Sequence, residues 1–173
     1  SHEVQKDAAD VLNPLVDTGA DVLQRHLRVG LEDHQSRGVV RLHVAHLGIR
    51  GAQAIAAAIF LNKTRHSKSD IKSYIEQTFG YDLSRTTDEI RPSYAFETAC
   101  DKTVAESIIC FLEAESFEDA VIGAISLGGD TDTMGCMAGN IAAASMDVPL
   151  ELAIFAWERL PLELRAILEE FNW

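Results

Sequence analysis

Apolar and polar positions follow one another along this chain with the three-to-four-residue spacing of helices, and hardly anywhere with the two-residue spacing of strands. Residues 51–60 are small and apolar all round, interrupted only by Gln53, which suits a helix buried on every side. Ser67-Lys-Ser-Asp70 has the spacing of a capping box and opens a segment with Ile71, Tyr74 and Ile75 at helical intervals. The same Ser/Thr-x-x-acid signature stands at Thr103 with Glu106 and at Ser116 with Asp119, ahead of apolar periodic runs over 104–112 and 117–127. Pro149 and Pro161 mark the starts of two further predicted helices, 149–159 and 162–171.

The first third is punctuated by Pro14, Gly19, Gly30 and Gly38, with 4–12, 21–31 and 39–47 as candidate helices between them. The best strand candidate, 38–46, is short and ambiguous. Residues 79–99 read as a long connection with Gly80, Pro92 and a charged stretch over 85–91, and loops of that length commonly line a ligand site. No internal repeat and no low-complexity linker is visible. The pattern predicts an all-α fold in a single domain, 1–173.

Composition narrows the function. Hydrophobic residues make up 47% of the chain, yet no apolar run approaches a membrane span, which needs roughly 18 residues or more. The formal charge of −12 repels nucleic-acid backbones, so general nucleic-acid binding is excluded. A phosphorylated small substrate is not excluded, because a bound divalent cation reverses the local sign. Three cysteines, Cys100, Cys110 and Cys136, lie scattered in apolar surroundings without CxxC spacing. With no cationic start leading into an apolar run, the expectation is a cytoplasmic protein with reduced core thiols.

Chemistry concentrates in Ser126-Leu-Gly-Gly-Asp130-Thr-Asp132-Thr133-Met-Gly. A helix is expected to end at Gly128 and Gly129, where the backbone turns sharply and a ligand can approach closely. A second helix is expected just after Asp130. Asp130, Asp132 and the Thr133 hydroxyl then start one helix together, and they are hard oxygen ligands suited to Mg²⁺ or Mn²⁺. The competing reading is plain capping, since Asp and Thr are favoured at helix N-termini.

The Gly-Gly-Asp-Thr-Asp-Thr run, followed by a small-residue helix, resembles the C-terminal metal motif of the ADP-ribosylglycohydrolase family, the dinitrogenase reductase-activating glycohydrolase-like enzymes. Further matches are Gly48-Ile-Arg-Gly-Ala-Gln-Ala54, resembling the family's GIKGAQA helix start, and Phe79-Gly-Tyr-Asp-Leu-Ser84 with Ile90-Arg-Pro-Ser-Tyr94 after it. Ser116-Phe-Glu-Asp-Ala120, Val148-Pro149 and Leu160-Pro161 keep the family's order. The resemblance covers about residues 43–173, with 1–42 a divergent helical segment.

The resemblance implies hydrolysis of the ADP-ribosyl glycosidic bond at a two-magnesium site, on ADP-ribose or an ADP-ribosylated protein. It implies Asp130, Asp132 and Thr133 as metal ligands, with Asp130 and Asp132 catalytic and Gly128 and Gly129 close to the substrate. His43, aligned with the first histidine of the family's THNHPEG turn, and Tyr94, able to stack on a base or ribose, complete the substrate-binding candidates. For both, ordinary packing is the alternative. Arg91 reads as a solvent-exposed ion pair.

The family's other ligands come from an N-terminal Thr-Asp-Asp segment preceded by a glutamate. Here only Asp17-Thr18 and Glu32-Asp33 imitate it, out of context. Two accounts stay open: an impaired or inactive member that binds ADP-ribose without turnover, or a site completed by other acids from the first third or from a partner chain. A further reading gives the apolar helices to a homo-oligomer interface.

Overall fold

A computed structural model describes residues 35–94 and 100–170. Within them the chain forms eight α-helices: α1 (Gln35–Lys63), α2 (Lys68–Phe79), α3 (Thr87–Ile90), α4 (Cys100–Glu113), α5 (Phe117–Ser126), α6 (Thr131–Ala143), α7 (Leu150–Arg159) and α8 (Leu162–Glu170). A 3-10 turn over Arg91–Ser93 follows α3 directly. No strand occurs among the described residues, which bears out the all-α expectation. No helix among them is long and apolar enough to cross a membrane. The candidate segments 4–12 and 21–31, with Asp17 and Glu32, lie outside the described residues.

The short strand candidate and the punctuating role of Gly38 are both overturned, because α1 runs unbroken through Gly38, Gly48 and Gly51. Gly51 has a packing reason for being there. A Cβ at this position would stand 2.8 Å from Cys100 Sγ and 3.0 Å from a Val104 methyl, so the missing side chain lets α1 meet the start of α4. Farther along α1, Ala54, Ala57, Ala58 and Leu61 are buried. At its end the buried Asn62 ties into α6: its Nδ2 donates to the Ile141 carbonyl at 2.6 Å, and Ser145 Oγ donates to its Oδ1 at 2.9 Å.

α4 is the centre of the bundle, with every residue from Thr103 to Phe111 buried. Around it α5 and α6 pack on each other more extensively than any other pair. Small residues allow that approach: Ala120 and Ala124 on α5, Ala138 and Ala142 on α6, all buried, while Gly139 leaves only 3.1 Å between a would-be Cβ and Val121 Cγ2. Interiors packed this tightly gain dispersion from every contact and tolerate added volume poorly.

The start signals fare unevenly. Ser67 and Asp70 form the reciprocal capping box, and α2 ends on Gly80 in the left-handed region (φ 69°). Ser116 caps α5 by accepting from Asp119 N–H at 3.1 Å. The start expected at Thr103 is wrong: α4 begins at Cys100, and Thr103 and Glu106 are buried inside it. Glu106, only 1% exposed, is tied instead to Arg85, whose Nη2 donates to Oε1 at 2.8 Å. The long connection is also more ordered than expected, for Thr86 and Glu89 make a further capping box that starts α3, and Tyr81, Leu83 and Ile90 join the core. The expectation of three core thiols holds for Cys110 but fails for Cys136, which is exposed, while Cys100 is half-buried.

The two glycines of α1 give opposite expectations. Gly51→Ala should destabilise the protein by about 1–3 kcal/mol, since its methyl group collides with Cys100 and Val104. Gly48→Ala meets nothing within 4 Å among the described residues and should stabilise by about 0.5–1 kcal/mol through helix propensity. Urea unfolding of both variants measures this, and shifts of the same sign would refute the packing account of Gly51.

Candidate active site

The motif sits where α5 hands over to α6. As α5 ends, Gly128 N–H donates to the Ile125 carbonyl at 3.1 Å and Gly128 turns the chain with φ 80°, a left-handed conformation that costs any other residue about 1–2 kcal/mol. Gly129 has a different task. It is buried, and a Cβ there would lie 2.4 Å from Cε1 of Tyr94, so the Tyr94 ring rests on its bare Cα. Only the first of the two glycines is therefore explained by the turn.

Asp130 follows in the N-cap position of α6, yet its side chain makes no capping hydrogen bond; only its carbonyl participates, accepting from Met134 N–H at 2.9 Å. Asp132 does the work of charge at the helix start instead. Its carboxyl is held below the ordinary carboxylate range, first by a hydrogen-bond contact with the Asp130 side chain, then by the N–H groups of Thr133 and of its own residue. Among the described residues, neither Asp130 nor Asp132 pairs with a lysine or arginine. Asp130 is half-buried, whereas Asp132 and Thr133 are exposed.

The connection ahead of α4 packs against the motif through Arg91 and Tyr94. Arg91 pairs with the exposed Asp88 at 2.6 Å, which is the surface ion pair expected, and its other amino group donates to Ser126 Oγ at 3.1 Å. Tyr94 is half-buried between Gly129 and α6, its O–H directed at Met134 Sδ at 3.5 Å. His43 falls within α1, but its side chain is outside what the structure describes, and His46 is exposed. The structure thus brings Gly128, Gly129, Asp130, Asp132, Thr133 and Tyr94 together. The sequence reading missed the Arg91–Ser126 link, for which the Asp88–Arg91 spacing of three gives only half the signal.

Among the described residues no group of three or more acids, histidines or cysteines converges. The set at the start of α6 is two carboxylates and a hydroxyl, all oxygen donors within one turn. Such donors fit a hard divalent cation and do not suit a soft one.

The profile of the ADP-ribosylglycohydrolase family matches residues 21–152. That span starts earlier than the sequence resemblance had placed it and stops within α7. Neither the curated proteins nor the solved structures give a match to this chain.

Gly129→Ala should displace the Tyr94 ring, and the cost should largely vanish once Tyr94 is also alanine. A double-mutant cycle on unfolding free energy is expected to give a coupling of about 1 kcal/mol or more. Additive costs would mean that Tyr94 does not rest on Gly129.

Proposed function

The chain belongs to the ADP-ribosylglycohydrolase family, and from that premise we propose that it is built for Mg²⁺-dependent hydrolysis of an ADP-ribosyl glycosidic bond, releasing ADP-ribose from a modified protein or small conjugate. The observation that carries this reading is Asp130, which occupies a cap position at the start of α6 without its side chain capping the helix. A carboxylate spared from the helix is free for a ligand.

Asp130, Asp132 and Thr133 would hold the cation, with Mn²⁺ an acceptable substitute for the same oxygens. When bound, the ion polarises the ribose hydroxyls and lowers the cost of negative charge beside them. The protein's own groups do the rest. The half-buried Asp130 carboxylate accepts a proton from the attacking water, whose oxygen bonds to the anomeric carbon as the bond to the leaving group breaks. Gly128, exposed and without a side chain, leaves room for the ribose, and Tyr94 offers a ring edge beside it. His43 belongs to this reading as a substrate contact. The family's second metal calls for further ligands, for which the candidates are other acids from the first third of the chain or from a partner chain.

Calorimetric titration of Mg²⁺ tests the assignment. Wild type should take up Mg²⁺, and Asp130→Ala and Asp132→Ala should each weaken uptake about tenfold or more, since even changes beyond the ligand shell cost that much. Asp130→Ala should leave the unfolding free energy within about 0.5 kcal/mol, because no cap is lost. A destabilised Asp130→Ala with Mg²⁺ uptake unchanged would return Asp130 to the role of a helix cap. Retention of ADP-ribose without turnover of an ADP-ribosylated substrate would place the chain among binding members of the family.

A further inference from the structure

Away from the motif, a cavity of about 320 Å³ opens between the first turns of α2, the segment 83–86 and the last turn of α4. It shares no lining residue with 126–133. Its walls hold three cations, Lys68, Lys72 and Arg85, in a chain whose net charge is −12. Against that background a cationic cavity concentrates anions that the rest of the surface repels.

Each cation is held in place or left free for a reason visible in the structure. Lys68 starts α2, donates to the Ala114 carbonyl, and stands 5.4 Å from the centroid of the Phe111 ring. Burial lowers its pKa more than the attraction of Glu115 raises it, so its ammonium is desolvated without a carboxylate partner in contact. Lys72, one turn on, makes no ion pair among the described residues. Arg85 spends one amino group on the buried Glu106, which pins the guanidinium while nearly half of its side chain stays exposed.

Two nearby acids keep their charge but have oxygens engaged by neutral donors. Glu113, the carboxylate that lines the cavity, accepts Thr87 N–H at 3.1 Å and Thr87 O–H at 2.5 Å. Asp82 accepts from Ser84 N–H and O–H, and feels Arg85 and Lys72 only through their field. The floor is apolar: Leu83, Ile109 and Leu112. We propose that this cavity binds a phosphate monoester carried on a small organic group, the phosphate between Lys72 and Arg85 and the carbon skeleton on the apolar floor. A planar guanidinium next to an ammonium suits phosphate, and the volume lies at the small end of ligand pockets, too tight for a dinucleotide. The proposal is independent of the glycohydrolase reading.

Calorimetry of the full chain with ribose 5-phosphate and with inorganic phosphate, in Mg²⁺-free buffer, tests it. Ribose 5-phosphate should bind saturably and more tightly than inorganic phosphate. Lys72→Glu should weaken it about tenfold or more, Arg85→Lys should weaken it less, and Asp132→Ala should leave it unchanged. Lys72 makes no ion pair among the described residues, so Lys72→Glu should keep the wild-type unfolding curve. Binding in Lys72→Glu equal to wild type, loss of binding in Asp132→Ala, or no saturation below about 10 mM would each overturn the assignment. Equal affinity for inorganic phosphate would assign the cavity to the free ion and overturn the monoester.

Discussion

Everything in the candidate site depends on how closely α5 and α6 approach across Gly139, Ala120, Ala124, Ala138 and Ala142. Two helices held at that distance and joined by four residues leave the chain no slack between Ser126 and Thr131. A positive φ at Gly128 and a bare Cα under Tyr94 are what a connection so short requires. Larger side chains on the α5–α6 face would push the helices apart and lengthen the path. The carboxylates of Asp130 and Asp132 would then no longer begin the helix within reach of each other. Packing in the apolar interior thus sets the geometry of the polar end.

Most of this was legible in the sequence wherever a local rule has one physical outcome. The all-α class followed from periodicity, and the Ser67–Asp70 box and the Gly128–Gly129 break were where spacing put them. Local rules failed where tertiary contacts outweighed them. Thr103 and Glu106 have the spacing of a capping box, but the helix starts three residues earlier and buries both; what Glu106 answers to is Arg85, twenty-one residues upstream, and no local spacing encodes that pair. Gly38 looked like punctuation because glycine disfavours helix. In α1 the contacts of the helix override that preference. The Thr86–Glu89 box shows the opposite error, a readable signal passed over inside a stretch already assigned to loop.

At the motif, sequence alone left helix capping and cation binding as rivals, because both favour Asp at an N-terminus. The structure separates the two aspartates. Asp132 is held below the ordinary carboxylate range by Asp130 and by N–H groups of its own helix start, while Asp130 has the cap position without the cap bond. The last two described helices are shaped by a different balance. α7 and α8 bury no residue, with Leu150 and Leu162 more than 70% exposed, so their helicity rests on Pro149, Pro161 and local hydrogen bonding.

The three thiols of this chain differ in chemical addressability. Cys110 is buried, and burial pushes its pKa up to about 12, so it presents almost no thiolate at neutral pH. Burial also raises the half-buried Cys100. Cys136 is exposed on α6, one turn beyond Asp132, and its sulfur accepts from Asn140 Nδ2 at 3.3 Å. A maleimide dye would therefore find its handle beside the acidic turn without any engineered cysteine. Emission from that dye would follow events at Asp130 and Asp132 in the native sequence, with Cys110 silent beneath it.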